Sequence, residues 1–436
     1  MSIPDSQRVV VTGLGLITPL GNSPERLLHA LRRGESGIGP LTTFPQNSLA
    51  TAFGAQAWDF TGAIEDFGPL EKEAQRAIRK GQKLMCREIE MGVAAAQLAI
   101  SDAALRIDPS NRDRIGITYG CDYIISLPEE FSIGIEKCLD AERNFHFSRW
   151  AELGLPEVNP LWLLKYLPNM PASHIAIYND LRGPNNSITV REASSCAAVA
   201  EAYSTLSRGH ADALVVGATG SRVLAFRALH TSMQESLASH RANPSEMSRP
   251  FAADRDGMVL GEGAAAMILE TLPHAQQRGA KILAEVLGAG TSAAGPKAAD
   301  DFLRVALANA LRAALRKSPA DRPIGHIHAH GLGTVAGDAQ EAAAIAELFG
   351  PPEKAPPVVA AKSYFGNLGA GGGMVEIISS ILCFPEDRLF RTLNCDSPAP
   401  DCPIRLASAE TPAGPSFLSM NVSPQGQAAA VHIARW

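Results

Sequence analysis

The sequence has 436 residues, 46% of them hydrophobic, enough for a sizeable core and for two ordinary domains or one large duplicated one. A formal charge of −6 gives no basis for general nucleic-acid binding, which goes with a basic excess. Seven cysteines (Cys86, Cys121, Cys138, Cys196, Cys383, Cys395 and Cys402), an odd number without a CxxC pair, argue against a disulfide scaffold and a zinc ribbon. The opening MSIPDSQ has no basic start followed by an apolar core, and no stretch runs about 18 apolar residues uninterrupted. The expectation is a cytoplasmic, soluble protein without membrane contact.

RVVVTGLGLITPLGN is a β-branched run ending in glycines. SPERLLHALRRG follows with a Ser cap, Pro at the first helical position and a terminal Gly, so the chain opens as strand, loop and helix. In QRAIRKGQK, Arg76, Arg79, Lys80 and Lys83 fall within about two helical turns and read as a solvated helix face in preference to a dock for an acidic partner. Residues 85–105 have helical apolar spacing and 113–120 form a short buried strand. From 121 to about 180, LPEEF, GLPEVNPLW and LPNMP predict an inserted, proline-broken layer of loops and short helices. SITVREASSCAAVAEAYSTLSRGHADALVVGA then reads as a βαβ unit with a helix closed by Gly209. After GEGAAAMILETL comes a second cycle: a helix near 301–316, a strand at 324–331, a helix at 338–350 and a strand at 358–363. The element order of the first half recurs in the second, which predicts a structural duplication built of α/β layers with mainly parallel sheets.

Three places can carry chemistry. Cys196 follows a strand and a polar turn and opens a helix, where unpaired amides and the macrodipole lower a thiol pKa. Cysteine is also a common small buried residue, so the local sequence leaves nucleophile and packing both open. HIHAHG sets His326, His328 and His330 at alternating positions of a strand, hence on one face. A metal pair is one reading, although no further ligand motif completes it, and a Cys/His catalytic pair is the other. In KSYFGNLGAGGG, Lys362 precedes its glycines, whereas a phosphate loop needs the glycines first.

Together RVVVTGLGLITPLGN, SRPFAADRDGMVLGEGAAAMILE, HAHGLGTVAGDAQE and KSYFGNLGAGGGMVE resemble the successive signature blocks of the β-ketoacyl synthases, most closely the elongating type II enzymes. The resemblance implies a thiolase-like fold: two duplicated βαβ halves (1–265, with the cap insertion about 121–180, and 266–436) forming layered α/β/α/β/α. It implies a homodimer with no cofactor, because phosphopantetheine arrives on acyl carrier protein or CoA. The implied reaction is acyl transfer to cysteine followed by decarboxylative Claisen condensation with a malonyl thioester, in fatty acid or polyketide synthesis. By the same resemblance, Cys196 is the nucleophile, His330 the first active-site histidine and Lys362 the electrostatic anchor. Asp338, Glu341 and Glu376 stand where supporting acids do. No metal site is implied. A non-catalytic chain-length-factor-like partner subunit is the alternative, and a metal-dependent hydrolase using the HxHxH strand a distant one.

The chain departs from the pattern around one pocket. Asn367 stands where the elongating enzymes have a second histidine; a carboxamide can donate to an enolate oxygen but does not titrate. NVSPQGQAAA replaces an aromatic glycine loop, putting Ser423, Pro424 and Gln425 at the gate, with the Gln425 amide the expected second oxyanion donor beside that of Cys196. Leu332 replaces the first threonine of the pantetheine-binding pair, while Thr334 remains.

Overall fold

The computed structural model describes residues 4–45, 51–297, 299–316, 318 and 322–436. Ten strands form the main sheet: β1 (Val9–Ile17), β2 (Ile115–Cys121), β3 (Asn185–Ile188), β4 (Ala213–Ser221), β5 (Glu262–Thr271), β6 (Ala284–Ala293), β7 (His326–His328), β8 (Val358–Val359), β9 (Ser416–Val422) and β10 (Gln427–Arg435). Their spatial order is β8-β7-β9-β10-β6-β1-β5-β4-β2-β3. Numbered within each half, strands β1–β5 and β6–β10 follow the same order, third-second-fourth-fifth-first, and the halves meet first strand to first strand. That junction is short, three residue pairs from Val9↔Val286 to Val11↔Ala284. The boundary expected at 265/266 falls inside β5; the strand order begins its second cycle at β6.

Within each half, the first three strands of the edge side run parallel, but β4–β5, β5–β1, β9–β10 and β10–β6 pair antiparallel. The sheet is therefore mixed rather than mainly parallel. One of these pairings follows from its connection: Ser423–Gly426 closes β9 to β10 as a tight hairpin, and a hairpin can only join antiparallel neighbours.

Helix α1 (Pro24–Arg33) shows how local the early signals are: Ser23 accepts from the Arg26 amide, Pro24 occupies the first turn and Gly34 closes the helix at φ 70°. Helix α2 (Lys72–Gly81) buries Ile78 and leaves Arg76, Arg79 and Lys80 exposed, a solvated face. Helices α3 (Arg87–Asp102) and α4 (Met170–Asn179) cover the outer side of the first half, with short 3-10 and helical segments between residues 121 and 170. Helix α5 (Ser194–Ser207) is sandwiched, touching β2 and β4 of one half and β6 and β10 of the other. Beyond α6 (Ala225–Gln234), helices α7 (Phe302–Leu315) and α8 (Val335–Phe349) cover the outer side of the second half. A one-turn helix α9 (Lys362–Phe365) leads to α10 (Gly372–Ile381), which packs on α5, β5 and β9. The result is α/β/α/β/α, with α5 and α10 as the middle layer. Alanine-rich α5 suits that place, since small side chains let the two halves of the sheet approach one helix. Among the described residues, no helix is long and apolar enough to cross a membrane.

Two expected strands are shorter than their apolar runs. β7 ends at His328, so His330 lies in the loop beyond it, and β8 ends at Val359, so Lys362 opens α9 instead of ending a strand. In both cases the chain leaves the sheet at its end to deliver a polar side chain toward the middle layer.

Candidate active site

The third residue of α5 is Cys196, preceded by a 3-10 turn over Arg191–Ala193. Its thiol is fully buried and donates to Asn421 Oδ1 at 3.0 Å. Burial pushes the thiol up and Glu376 pushes it further, with Ser419 and Lys362 pulling the other way. The helix-start position predicted a lowered thiol; desolvation outweighs the dipole here, and the nearby cation is neutralised by its own partner.

That partner is Glu376 on α10, which pairs with Lys362 Nζ in a buried ion pair. Lys362 Nζ also donates to the His330 carbonyl at 2.8 Å and approaches His330 Nδ1 at 3.3 Å. Asn421 Nδ2 donates to Glu376 Oε2 at 2.8 Å and stands 3.4 Å from the same ring nitrogen. Cys196, Asn421, His330, Lys362 and Glu376 thus form one contiguous cluster from α5, β9, the loop after β7, α9 and α10. Both groups facing His330 Nδ1 are donors, so that nitrogen accepts and the proton sits on Nε2. Nε2 is buried and, among the described residues, has no hydrogen-bond partner. Burial, aided by Lys362, holds His330 well below the ordinary histidine range, so the ring is neutral and its Nε2–H is a free donor.

Asp338 and Glu341 fix the loop that carries His330. Glu341 accepts from the His330 and Gly331 amides at 2.5 and 2.8 Å, and Asp338 from the Leu332 and Gly333 amides at 3.1 Å and from that of Phe251 at 2.8 Å. Burial raises both, Asp338 to about 6 and Glu341 to about 8.

The glycines after Lys362 have a steric role. A Cβ on Gly373 would lie 1.9 Å from Asn421 Oδ1, so only glycine lets Asn421 reach Cys196 past α10. Gly369, at φ 61°, presents its amide to Asn367 Oδ1 at 3.0 Å. Among the described residues, the Asn367 side chain makes no hydrogen bond to Cys196 or His330. Its Nδ2 donates to Glu192 Oε1 at 3.1 Å and contacts Met258 Sδ at 3.2 Å. The amide expected to be an open donor is therefore held between a carboxylate and a thioether. Glu192 is buried, as is Arg222, which pairs with it and with Asp122. Burial alone would raise Glu192, but Arg222 and Arg191 hold it at about 2.

A cavity of about 370 Å³ lies in front of His330, lined by Leu332, Thr334, Ser423 and Pro424 among others. Cys196 is not among its lining residues. Gln425 is exposed at the hairpin tip and does not line it either. This corrects its expected place at the gate: the Ser423–Gln427 hairpin closure turns residue 425 outward.

The other two histidines of the strand are engaged by protein groups. His326 and His328 both bond Ser380 Oγ, at 3.0 and 2.8 Å; His326 Nδ1 faces the Ala413 carbonyl at 2.8 Å, and the Ala361 amide donates to His328 Nε2 at 3.4 Å. Their ring nitrogens serve as core hydrogen-bonding groups, and burial lowers His326 to about 4. Among the described residues, no group of three or more His, Cys, Asp or Glu is placed to hold a metal ion.

Sequence reasoning missed Asn421, Glu192, Arg222 and Met258 as part of this region. The available signals were a polar residue near the end of an apolar strand (SFLSMNV) and a charged pair, Arg191–Glu192, in the hook just before the cysteine.

Residues 6–275 match the family model described as beta-ketoacyl synthase, N-terminal domain, and residues 283–396 the one described as beta-ketoacyl synthase, C-terminal domain. A 3-oxoacyl-(acyl-carrier-protein) synthase 2 from Synechocystis is 31% identical over 408 residues, covering 92% of this chain and 91% of the relative. One from Coxiella burnetii is 30% identical over 411 residues, covering 93% and 92%. A β-ketoacyl synthase structure from Burkholderia phymatum superimposes with TM-score 0.80 at 26% identity, covering 98% of this chain and 99% of that one. The ishigamide ketosynthase/chain length factor shares the fold, with TM-score 0.76 at 24% identity over 98% and 99% of the two chains. Strand order, middle-layer cysteine and these likenesses agree: the chain belongs to the β-ketoacyl synthase family of condensing enzymes, of the acyltransferase type.

Proposed function

We propose that this enzyme loads an acyl group onto Cys196 and condenses it with a malonyl thioester carried on acyl carrier protein. The supporting observation is the Cys196–Asn421–His330–Lys362 cluster, in which one buried donor, His330 Nε2–H, has no partner among the described residues. In the first half-reaction Cys196 Sγ attacks the acyl carbonyl carbon. The carrier sulfur leaves with the bonding pair and takes the thiol proton. In the second, the malonyl C–CO2 bond breaks and its electron pair passes into an enolate. His330 Nε2–H donates to the enolate oxygen, and a neutral ring suits this because CO2 loss requires no proton abstraction. The enolate carbon then attacks the acyl carbonyl, and Cys196 departs as thiolate.

A carrier-protein partner is supported by the names of the curated relatives and by a fold neighbour described as a ketosynthase with its acyl-carrier protein. Thr334 and Ser423 line the cavity where a pantetheine arm would approach. We take the working unit to be a homodimer. Incubation with acyl-carrier protein or acyl-CoA, followed by intact mass, tests the loading step. Wild type is expected to gain one acyl mass and Cys196→Ala none. No adduct on wild type at any chain length overturns the reading and leaves the non-catalytic partner subunit.

A further inference from the structure

The Asn367 carboxamide has two N–H groups with unequal partners. Glu192 Oε1 holds one at 3.1 Å, and the other faces Met258 Sδ at 3.2 Å. A carboxylate is a strong acceptor and a thioether a weak one, so the second N–H is the one a better acceptor can claim. The amide cannot be reversed, because Gly369 N–H donates to its oxygen at 3.0 Å while Glu192, an acceptor, faces its nitrogen. Met258 is a flexible, polarisable side chain, and a buried thioether yields its place more readily than a charged group. Glu192 is fixed from behind: Arg222, with no exposed surface, pairs with it and with Asp122 and Glu235, and Arg191 adds a second guanidinium. Arg191 holds φ 54°, a left-handed backbone that bulky residues rarely adopt. It is retained where the chain turns Glu192 inward and Arg191 toward Glu235.

We infer that Glu192 is a positioning residue for Asn367: it anchors one carboxamide N–H so that the other, released from Met258, becomes the second enolate donor beside His330. This rests on the condensing reaction proposed above. It gives the unusual asparagine a reason, since a carboxylate this close would turn an imidazole there into an ion-paired cation, whereas a carboxamide stays neutral and keeps a spare hydrogen.

The test separates the half-reactions. Acylation of Cys196 and decarboxylation of malonyl-carrier protein are measured for wild type, Glu192→Ala, Glu192→Gln, Asn367→Ala and both double variants. Glu192→Ala is expected to lower decarboxylation at least about tenfold, while acylation stays within about twofold. Glu192→Gln, which keeps an acceptor oxygen in a similar shape, should recover part of the loss. In the Asn367→Ala background, either change at 192 should have less than about a twofold further effect, because the two residues act as a unit. Equal losses in both half-reactions, or a full effect of residue 192 without Asn367, overturn the inference; the Gln variants carry the comparison should Ala fail to fold. A wild type that neither acylates nor decarboxylates overturns the underlying function instead.

Discussion

Two buried ionic clusters flank the nucleophile, one from each half of the sheet, and they are built on opposite terms. In the second half, a single pair, Lys362–Glu376, is shared with neutral donors and acceptors on His330 and Asn421. In the first, Arg191, Arg222 and Arg227 interlock with Asp122, Glu192 and Glu235. Glu376 is raised by burial against the pull of Lys362, whereas Glu192 is held at about 2. Two guanidiniums facing one carboxylate keep a buried acid ionised; one ammonium with one carboxylate does so less firmly. The lysine side is thus tuned to leave a neutral histidine donor free, and the arginine side to hold charge rigidly in place.

Removing the central cation of each cluster tests the difference. Arg222→Met leaves Glu192, Asp122 and Glu235 with fewer partners in a dry interior, and should cost about 3–5 kcal/mol in denaturant unfolding. Lys362→Met should cost less, about 2 kcal/mol, because Glu376 can take a proton and keeps the Asn421 bond. Adding Glu376→Gln to Lys362→Met should restore part of that loss. Equal costs for the two single variants would erase the distinction.

The same contrast separates what the sequence disclosed from what it withheld. Capping at Ser23, Pro24 and Gly34 was legible because it is local. The order of elements sufficed for the duplicated halves, and the motifs around Cys196, His330 and Lys362 for the family. The arginine cluster was not legible, because Glu192 meets Arg222 and Asn367 across 30 and 175 residues of chain. Nor was the state of Asn367: its replacement of histidine was visible, but its engaged nitrogen was not. For Cys196 the sequence displays the helix start but not the depth of burial, so it leaves a dipole-lowered nucleophile and a packed thiol both open. The short β7 and β8 were overcalled because apolar runs continue past the last ladder bond.

A further test concerns pH. Glu88, on α3 in the first half, accepts from the Ser221 amide at 3.0 Å but lacks a guanidinium of its own, since Arg227 is committed to Asp122. Burial raises it to about 8, Asp122 and Glu262 adding to the rise and Arg227 opposing it. An unfolded glutamate releases its proton near 4.3, so between about 4.3 and about 8 the folded state binds more protons, and this group's stabilising contribution is lost as pH rises. Glu192 has the opposite sign: its contribution is present above about 4.3 and lost as pH falls toward about 2. Glu88→Gln keeps the acceptor oxygen and removes the titration. Urea unfolding from pH 5 to 8 should therefore fall less steeply in the variant, by at most about 1.4 kcal/mol per pH unit, with Glu341, Asp338 and Glu376 among the groups that still contribute slope. Parallel curves for variant and wild type would mean that Glu88 is ionised in the fold, and that the arginine cluster reaches one carboxylate further than its ion pairs indicate.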